Sequence, residues 1–307
     1  MANDYSSKAE KYTSFLDELA EKASVTSVLD GANSSLVGDF NGAGVVNLAK
    51  LTIDGLADYD RSTGFASGSA SIEFEPYKLR FDRGKSFEID DMDDDETMQV
   101  MTLNMLGKFV RDKAVPEMDA VRLSTYAANA GTTITKTYTN DGEALDDLLD
   151  AESAIEDVAE LEGTVIYMTA AFKAMIKRAV PWRFGKGDQP DARFDTFDGN
   201  RVITVPKARF YNSVTLGTDG FKPTGTGDAD QTHVTGKVST AASALNFLLV
   251  KPEAVCQVKK TEKLRYFSPD VNQDKDAHKW QYRLYHDAFV LAERKPLIVA
   301  GVAGAAD

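Results

Sequence analysis

Cysteine occurs once in the 307 residues, at Cys256, so no intrachain disulfide framework can staple this chain. Cys256 stands beside Val255 and Val258 in a strand-like run, where a free thiol serves as a small buried hydrophobe. Histidine occurs three times, at His233, His278 and His286, with no pair at metal-ligand spacing. No apolar run approaches the ~18 residues that cross a bilayer as a helix. The opening Met1-Ala2-Asn3-Asp4-Tyr5 has no basic stretch leading into an apolar one, so no signal peptide is expected. Basic residues are in deficit: 35 Lys and Arg against 48 Asp and Glu give a net charge of −13. Such a charge repels nucleic acid and anionic membranes at long range and argues against sequence-specific DNA binding as the main activity, while leaving room for a locally basic face. Neither a Gly-x-Ser-x-Gly elbow nor a P-loop is present.

What is present is an ordered globular composition, 43% apolar and 27% charged, long enough for one to three domains. The chain is organised around Asp90 to Ala130. The stretch opens with Asp90-Asp91-Met92-Asp93-Asp94-Asp95-Glu96 and continues as a helical pattern through Met98, Met101, Met105, Phe109, Met118 and Val121. One continuous helix from about Asp95 to Ala130 would span about 54 Å at ~1.5 Å per residue. The acidic cluster mimics a calcium loop only at its first positions, since Glu96 replaces the required glycine and Thr102 the final glutamate. It reads as helix capping by Asp94 or Asp95. Pro116 removes a donor mid-helix, and a bend is expected near Asp112 to Val115.

Before this helix, Tyr12, Phe15, Leu16 and Leu19 outline an amphipathic helix. Asp30 to Ser35 and Asn41 to Gly44 are loops. Residues 45 to 90 are hairpin material. Ile72 and Phe74 alternate with Glu73 and Glu75, and after Pro76 the apolar phase shifts to Tyr77, Leu79, Phe81, Phe87 and Ile89, which predicts a bulge or an edge position. Asp82-Arg83-Gly84-Lys85 reads as a turn. It reads either as a solvated hairpin or, since a lone hairpin is marginal in water, as one that lies across another subunit.

Past the helix, Gly131 to Gly142 is a Thr-rich link. Glu143 to Leu161 is a helix with a wholly acidic, solvated polar face from Asp146 to Glu160, Glu152 included. Val165 to Met168 is a buried strand and Ala170 to Ala179 a helix, an α/β layer. Residues 181 to 240 are irregular, with a strand at Arg201 to Val205, a second starting near Arg209-Phe210-Tyr211, and an exposed loop or hairpin tip at 217 to 237. The C-terminal part is β: Leu245 to Val250, Val255 to Phe267, a long alternation from Trp280 to Leu291, and Leu297 to Val299. His286 falls inside the long strand, where a hydrogen-bonded structural role is expected. His233 and His278 fall in loops. No catalytic constellation, cofactor site or metal site emerges.

Leu245-Asn246-Phe247-Leu248-Leu249-Val250 with Pro252, Ser268-Pro269-Asp270-Val271-Asn272, and Tyr282-Arg283-Leu284-Tyr285-His286-Asp287-Ala288-Phe289 resemble the C-terminal end of major capsid proteins from tailed phages of Gram-positive bacteria. So do Asp82-Arg83-Gly84-Lys85-Ser86-Phe87 with the following acidic cluster and helix, and Val202-Ile203-Thr204-Val205-Pro206. The resemblance runs in order from about Gly55 to Val299. It implies the α+β HK97-like capsid fold, with an N-terminal arm (1–49), an E-loop hairpin (50–90), a P domain with a long spine helix (91–136), an A domain (137–250), the rest of the P-domain sheet (251–296) and a C-terminal strand and tail (297–307). It further implies a structural, non-enzymatic protein that forms hexamers and pentamers of an icosahedral shell around DNA, assembled in the host cytoplasm and located in the virion capsid, with no membrane partner. Arg61, Lys78, Arg80, Arg83 and Lys85 would meet acidic surface on a neighbouring subunit, the helix from Asp146 to Glu160 being one candidate. Lys78 and Lys85 sit where some members of the fold crosslink, but no Asn acceptor and Glu partner can be assigned. A separate scaffolding protein and a portal are expected partners. The alternatives are the shell protein of a bacterial nanocompartment, similar to an encapsulin, and a carboxylate-dependent hydrolase.

Overall fold

The computed structural model describes residues 23–34, 37–41, 45–56, 58–59, 61, 67–90, 106–186, 195–218, 220–223, 234–235, 242–269 and 271–304. The amphipathic helix around Tyr12 to Leu19, the acidic cluster and its capping by Asp94 or Asp95, and His233 lie outside them.

A seven-stranded mixed sheet forms the larger half. Its order is β5 (Thr132–Thr135), β16 (Ile298–Val302), β13 (Leu245–Val250), β6 (Val165–Thr169), β9 (Asn200–Val205), β8 (Asp195–Phe197) and β7 (Phe184–Lys186). The central strands read as unbroken apolar runs because both faces are covered. Phe247, Leu249, Ile166, Met168 and Val299 meet helices α2 (Asp141–Glu156) and α3 (Ala170–Ala179) on one face. Leu248, Val250, Val165, Tyr167, Ile298 and Ala300 pack on the other face, against Leu123, Tyr126 and Ala127 of helix α1 (Val115–Ala128). Gly301 is obligatory here, because a Cβ would overlap the Phe247 ring. Both sheet-covering helices have a side-chain N-cap: Asn140 Oδ1 accepts from Gly142 N (3.0 Å) and Thr169 Oγ1 from Phe172 N (3.2 Å).

A second, antiparallel sheet has the order β14 (Val255–Phe267), β15 (Ala277–Val290), β4 (Phe81–Asp90). Trp280, Tyr282 and Leu284 of β15 pack against Leu106, Val110, Val115 and Met118. A third sheet, β1 (Val37–Asn41), β2 (Val45–Ile53) and β3 (Ala70–Lys78), carries the projecting hairpin. Its root is seated where Val46, Leu48 and Leu79 join Cys256, Val258 and Phe289. A small sheet of β10 (Val214–Gly217), β11 (Gly220–Pro223) and β12 (Val234–Thr235) closes over Ala120 and Val121. One helix therefore serves three layers in turn.

Several expectations change. The helix is described from residue 106, and instead of a simple proline bend it widens into a π-helical turn at Val110–Ala114 and then runs on through Pro116 to Ala128. Pro116 has no N–H for the Asp112 carbonyl, and the wide turn before it accommodates the loss. Asp82-Arg83-Gly84-Lys85 is no turn: it lies within β4, paired with Tyr282 to Tyr285. Gly84 marks a close approach, where a Cβ would stand 3.1 Å from the Tyr282 carbonyl. Pro76 sits without register shift opposite Asn47, on an edge strand where a missing N–H is harmless. The Thr-rich link contributes β5, parallel to β16. Lys207–Arg209 is a 3-10 turn, Tyr211 makes only an isolated bridge to Ala244, and the strand starts at Val214. A boundary after residue 49 cuts through the continuous strand β2. His278 belongs to β15, with Nδ1 2.5 Å from the Tyr266 hydroxyl.

Helix α1 is pinned by a buried carboxylate. Asp119 accepts from Ser24 Oγ and Thr26 Oγ1 (both 2.7 Å), from the backbone N–H of Val25 (3.1 Å) and Thr26 (3.3 Å), and from Arg209 Nη1 (2.7 Å). One turn on, the fully buried Arg122 donates from Nη1 to Thr26 Oγ1 (2.9 Å) and pairs with Asp30 (3.1 Å). The N-terminal segment and the loop after β9 thus meet on one helix turn. Asp119→Ala leaves Arg209 and two hydroxyls without their acceptor and is expected to cost about 3–5 kcal/mol, read as a lowered denaturant midpoint; a loss below about 1 kcal/mol would show the node to be ornamental.

Candidate assembly surfaces

The β2–β3 hairpin carries large apolar side chains that stay exposed among the described residues. Strand alternation puts Ala70, Ile72 and Phe74 on one face, in register opposite Ile53, Leu51 and Ala49. Ile53, Ile72 and Phe74 are 65%, 63% and 61% exposed. Leu56 beyond the strand end is fully exposed as well. Asp54 holds the two strands together at that end, accepting from Ser69 N and Ser69 Oγ at 2.7 Å each. An ordered apolar face of this kind on a single chain is unusual and marks a contact surface.

The five cations expected to meet a neighbour divide into two groups. Arg80, between β3 and β4, holds the buried Asp287 with Nε at 2.9 Å and Nη2 at 2.8 Å, and its own backbone N–H donates to Asp287 Oδ2 at 3.0 Å. Arg83 in β4 grips Glu117 of α1 (2.6 and 3.3 Å) and the Gly217 carbonyl (2.6 Å). Both arginines are thus engaged inside their own chain, fixing the hairpin root to β15 and α1. Arg61 lies exposed between β2 and β3, Lys78 exposed at the end of β3, and Lys85 exposed in β4 opposite Tyr282. The triplet Gly84-Lys85-Ser86 is mid-strand, without the loop-to-helix junction that cradles phosphate.

The acidic helix α2 differs from a fully solvated stripe. Asp146, Asp150, Glu156, Asp157 and Glu160 are exposed. Glu143 and Asp147 approach Lys136 (3.6 and 3.5 Å), and Asp141 takes both arms of Arg178 (2.6 and 2.8 Å). Glu152 is buried on the apolar side, and its Oε1 has no hydrogen-bond partner among the described residues. Burial, then the nearby Asp198, pushes its carboxyl up to about 8, against the pull of Arg183 and with a further push from Glu156. Arg183 is itself paired to Asp198 (3.0 Å).

Two further reactive groups are buried. Cys256 is fully buried in the hairpin-root cluster, and burial raises its thiol to about 11. The buried His286 departs from expectation: Nδ1 has no partner among the described residues, and desolvation with nearby Arg122, Lys259 and Arg83 lowers the ring to about 3, so it is neutral. Among the described residues no three His, Cys, Asp or Glu side chains gather as a metal site, and no helix is long and apolar enough to cross a membrane.

No protein-family model and no curated protein sequence matches this chain. Solved structures do. A chain of Gordonia phage Cozz matches with a TM-score of 0.58 at 11% identity, over 92% of this chain and 87% of that one. The mature capsid of bacteriophage PhiM1 matches at 0.58 and 12% identity, over 87% and 84%. The chain has an HK97-like capsid fold. A virus-like particle from Pyrococcus furiosus shares it, with a TM-score of 0.53 and 13% identity over 95% of this chain and 98% of that one. The exposed hairpin residues and the acids of α2 that point to solvent are candidate contact surfaces within this fold.

Glu152 gives a pH signature. Its folded-state value of about 8 lies above the ordinary 4.5, so its contribution to stability is complete below about pH 4.5 and is lost as pH rises through about 8. Unfolding measured at pH 5 and pH 8.5 should show a decline to which Glu152 contributes roughly 2–4 kcal/mol. Glu152→Gln should remove that share; an unchanged slope would place the carboxyl in solvent.

Proposed function

We propose that this chain is the major capsid protein of a tailed bacteriophage, assembling into the hexamers and pentamers of an icosahedral head that encloses double-stranded DNA. The observation that carries the reading is the apolar face of the hairpin, uncovered on a single chain whose fold is that of capsid shells. In this reading the N-terminal arm ends where β2 begins instead of at residue 49, the E-loop runs from there to 90, 91–136 is the spine portion of the P domain, 137–250 the A domain, 251–296 the P-domain sheet and 297–307 the closing strand and tail. The E-loop lies across a neighbouring subunit. Covering Ile72 or Phe74 is worth about 1.5–3 kcal/mol each, against ~0–1 kcal/mol for an exposed ion pair. The apolar face therefore drives the contact. Arg61, Lys78 and Lys85 set its register against acidic surface such as α2, while Arg80 and Arg83 act by holding the hairpin root. Repetition around a closed shell multiplies small contacts.

The role is structural, not enzymatic. Assembly takes place in the host cytoplasm with a separate scaffolding protein and a portal, and the protein ends in the virion capsid. A net charge of −13 suits a container that releases its genome. The likeness to the Pyrococcus furiosus particle favours a second reading, a nanocompartment shell that takes up protein cargo.

Electron microscopy and sedimentation of the purified protein test both. DNA-filled heads bearing tails support the phage reading, and small tailless shells with protein inside the compartment. Protein that stays monomeric at every concentration would sink the two together. Ile72→Ser with Phe74→Ser should abolish assembly while changing subunit stability by less than about 0.5 kcal/mol. Lys78→Ala should only weaken assembly. Undiminished shell yield from the double variant would overturn the hairpin contact.

A further inference from the structure

A cavity of 680 Å³ lies where three parts of the chain converge: strands β4 and β15, the π-helical turn before α1, and the β10–β11 turn. Its volume falls in the range of small-molecule sites. Phe109, Phe87 and Tyr282 form one wall, with the Phe109 ring edge-on to Phe87 at 4.8 Å and to Tyr282 at 5.8 Å. Such a wall suits a flat apolar body.

The charges around it are lopsided. Glu117 is the one acidic residue in the lining among the described residues, and both its oxygens are held by Arg83. The other lining cations are Lys85 and Lys113, both exposed at the rim. Lys113 has no ion pair among the described residues. In a chain carrying −13, Lys113, without an ion pair among the described residues and beside an aromatic pocket, favours an anion there. His286, 1% exposed, also lines the cavity, and its Nδ1 has no partner among the described residues. A buried imidazole in that state can hydrogen-bond a polar atom of a ligand without adding charge.

We propose that this cavity binds a small organic anion with a flat apolar body, an aromatic carboxylate or sulfonate, the ring lying against Phe109 and the anionic group at Lys113. Bound there, the molecule would tie the hairpin root, the spine helix and the β10–β11 turn together. The proposal rests on the cavity, not on shell assembly, and holds or fails for dispersed subunits.

The probe is 8-anilinonaphthalene-1-sulfonate, titrated calorimetrically into the full-length protein. One probe per chain is expected to bind saturably. Lys113→Glu should weaken binding by about tenfold through the reversed rim charge, and Lys113→Gln by less, a second reading should the first variant fold poorly. Lys207→Glu, the same charge change on an exposed turn outside the cavity lining, should leave affinity within about twofold. No saturable binding, or equal losses for Lys113→Glu and Lys207→Glu, would overturn the proposal. So would loss of binding in the Ile72→Ser, Phe74→Ser variant, which would place the probe on the hairpin.

Discussion

A carboxylate buried at the centre of a helix must find donors or lose its charge, and Asp119 finds five. They come from the segment around Ser24 to Thr26 and from Arg209, so folding α1 onto the sheets and fastening these two distant stretches become one event. Arg122, one turn later, repeats the device toward Asp30. Apolar packing along α1 is nondirectional and would tolerate small slides, whereas this charged node sets rotation and height. Everything mounted on the helix inherits that register: the seven-stranded sheet at its C-terminal half, the β14–β15–β4 sheet at its start, and the β10–β11 turn between.

The same logic extends to the hairpin. Its strands are joined to the body by a small apolar root and by two arginines aimed inward, Arg80 at Asp287 and Arg83 at Glu117. The root is rigid and the blade beyond it bare. Ordered backbone with an apolar face turned to solvent is poorly compensated in a monomer, so the favourable state is one in which that face is covered. Under the proposed function a neighbouring copy would supply that cover, with the acidic exterior restraining indiscriminate association.

Much of this was legible from periodicity. The helix of Ala170 to Ala179, the strands Leu245 to Val250 and Val255 to Phe267, and the alternation of Ile72 and Phe74 against glutamates all appear where spacing placed them. Errors gathered where composition was read in place of spacing. Asp82-Arg83-Gly84-Lys85 looks like a turn because it is polar and contains glycine, yet Asp82 pairs with Arg283 across the sheet and Arg83 with Glu117 of α1, contacts that an extended strand allows. Glu152 was assigned to the wet face by its charge, although it stands four residues after Leu148 and eight after Ala144, both buried. Asp119 likewise stands four after Val115 and four before Leu123, an inward column that its charge conceals. His286 was rightly placed in a buried strand, but the hydrogen bond expected of it is missing at Nδ1.

By itself the sequence determined the order of elements, the two-sided burial of the central strands, the single inert cysteine and the ordered set of short motifs that points to a capsid fold, because those depend on local periodicity and residue chemistry. Tertiary structure alone decided which charges are spoken for. Whether Arg80 reaches outward to a neighbour or inward to Asp287 depends on a residue 207 positions away, and no local pattern carries that distance. The bare hairpin face belongs to the same class: alternation predicts that it is apolar, and only the assembled chain shows that Ile53, Ile72 and Phe74 stay exposed among the described residues.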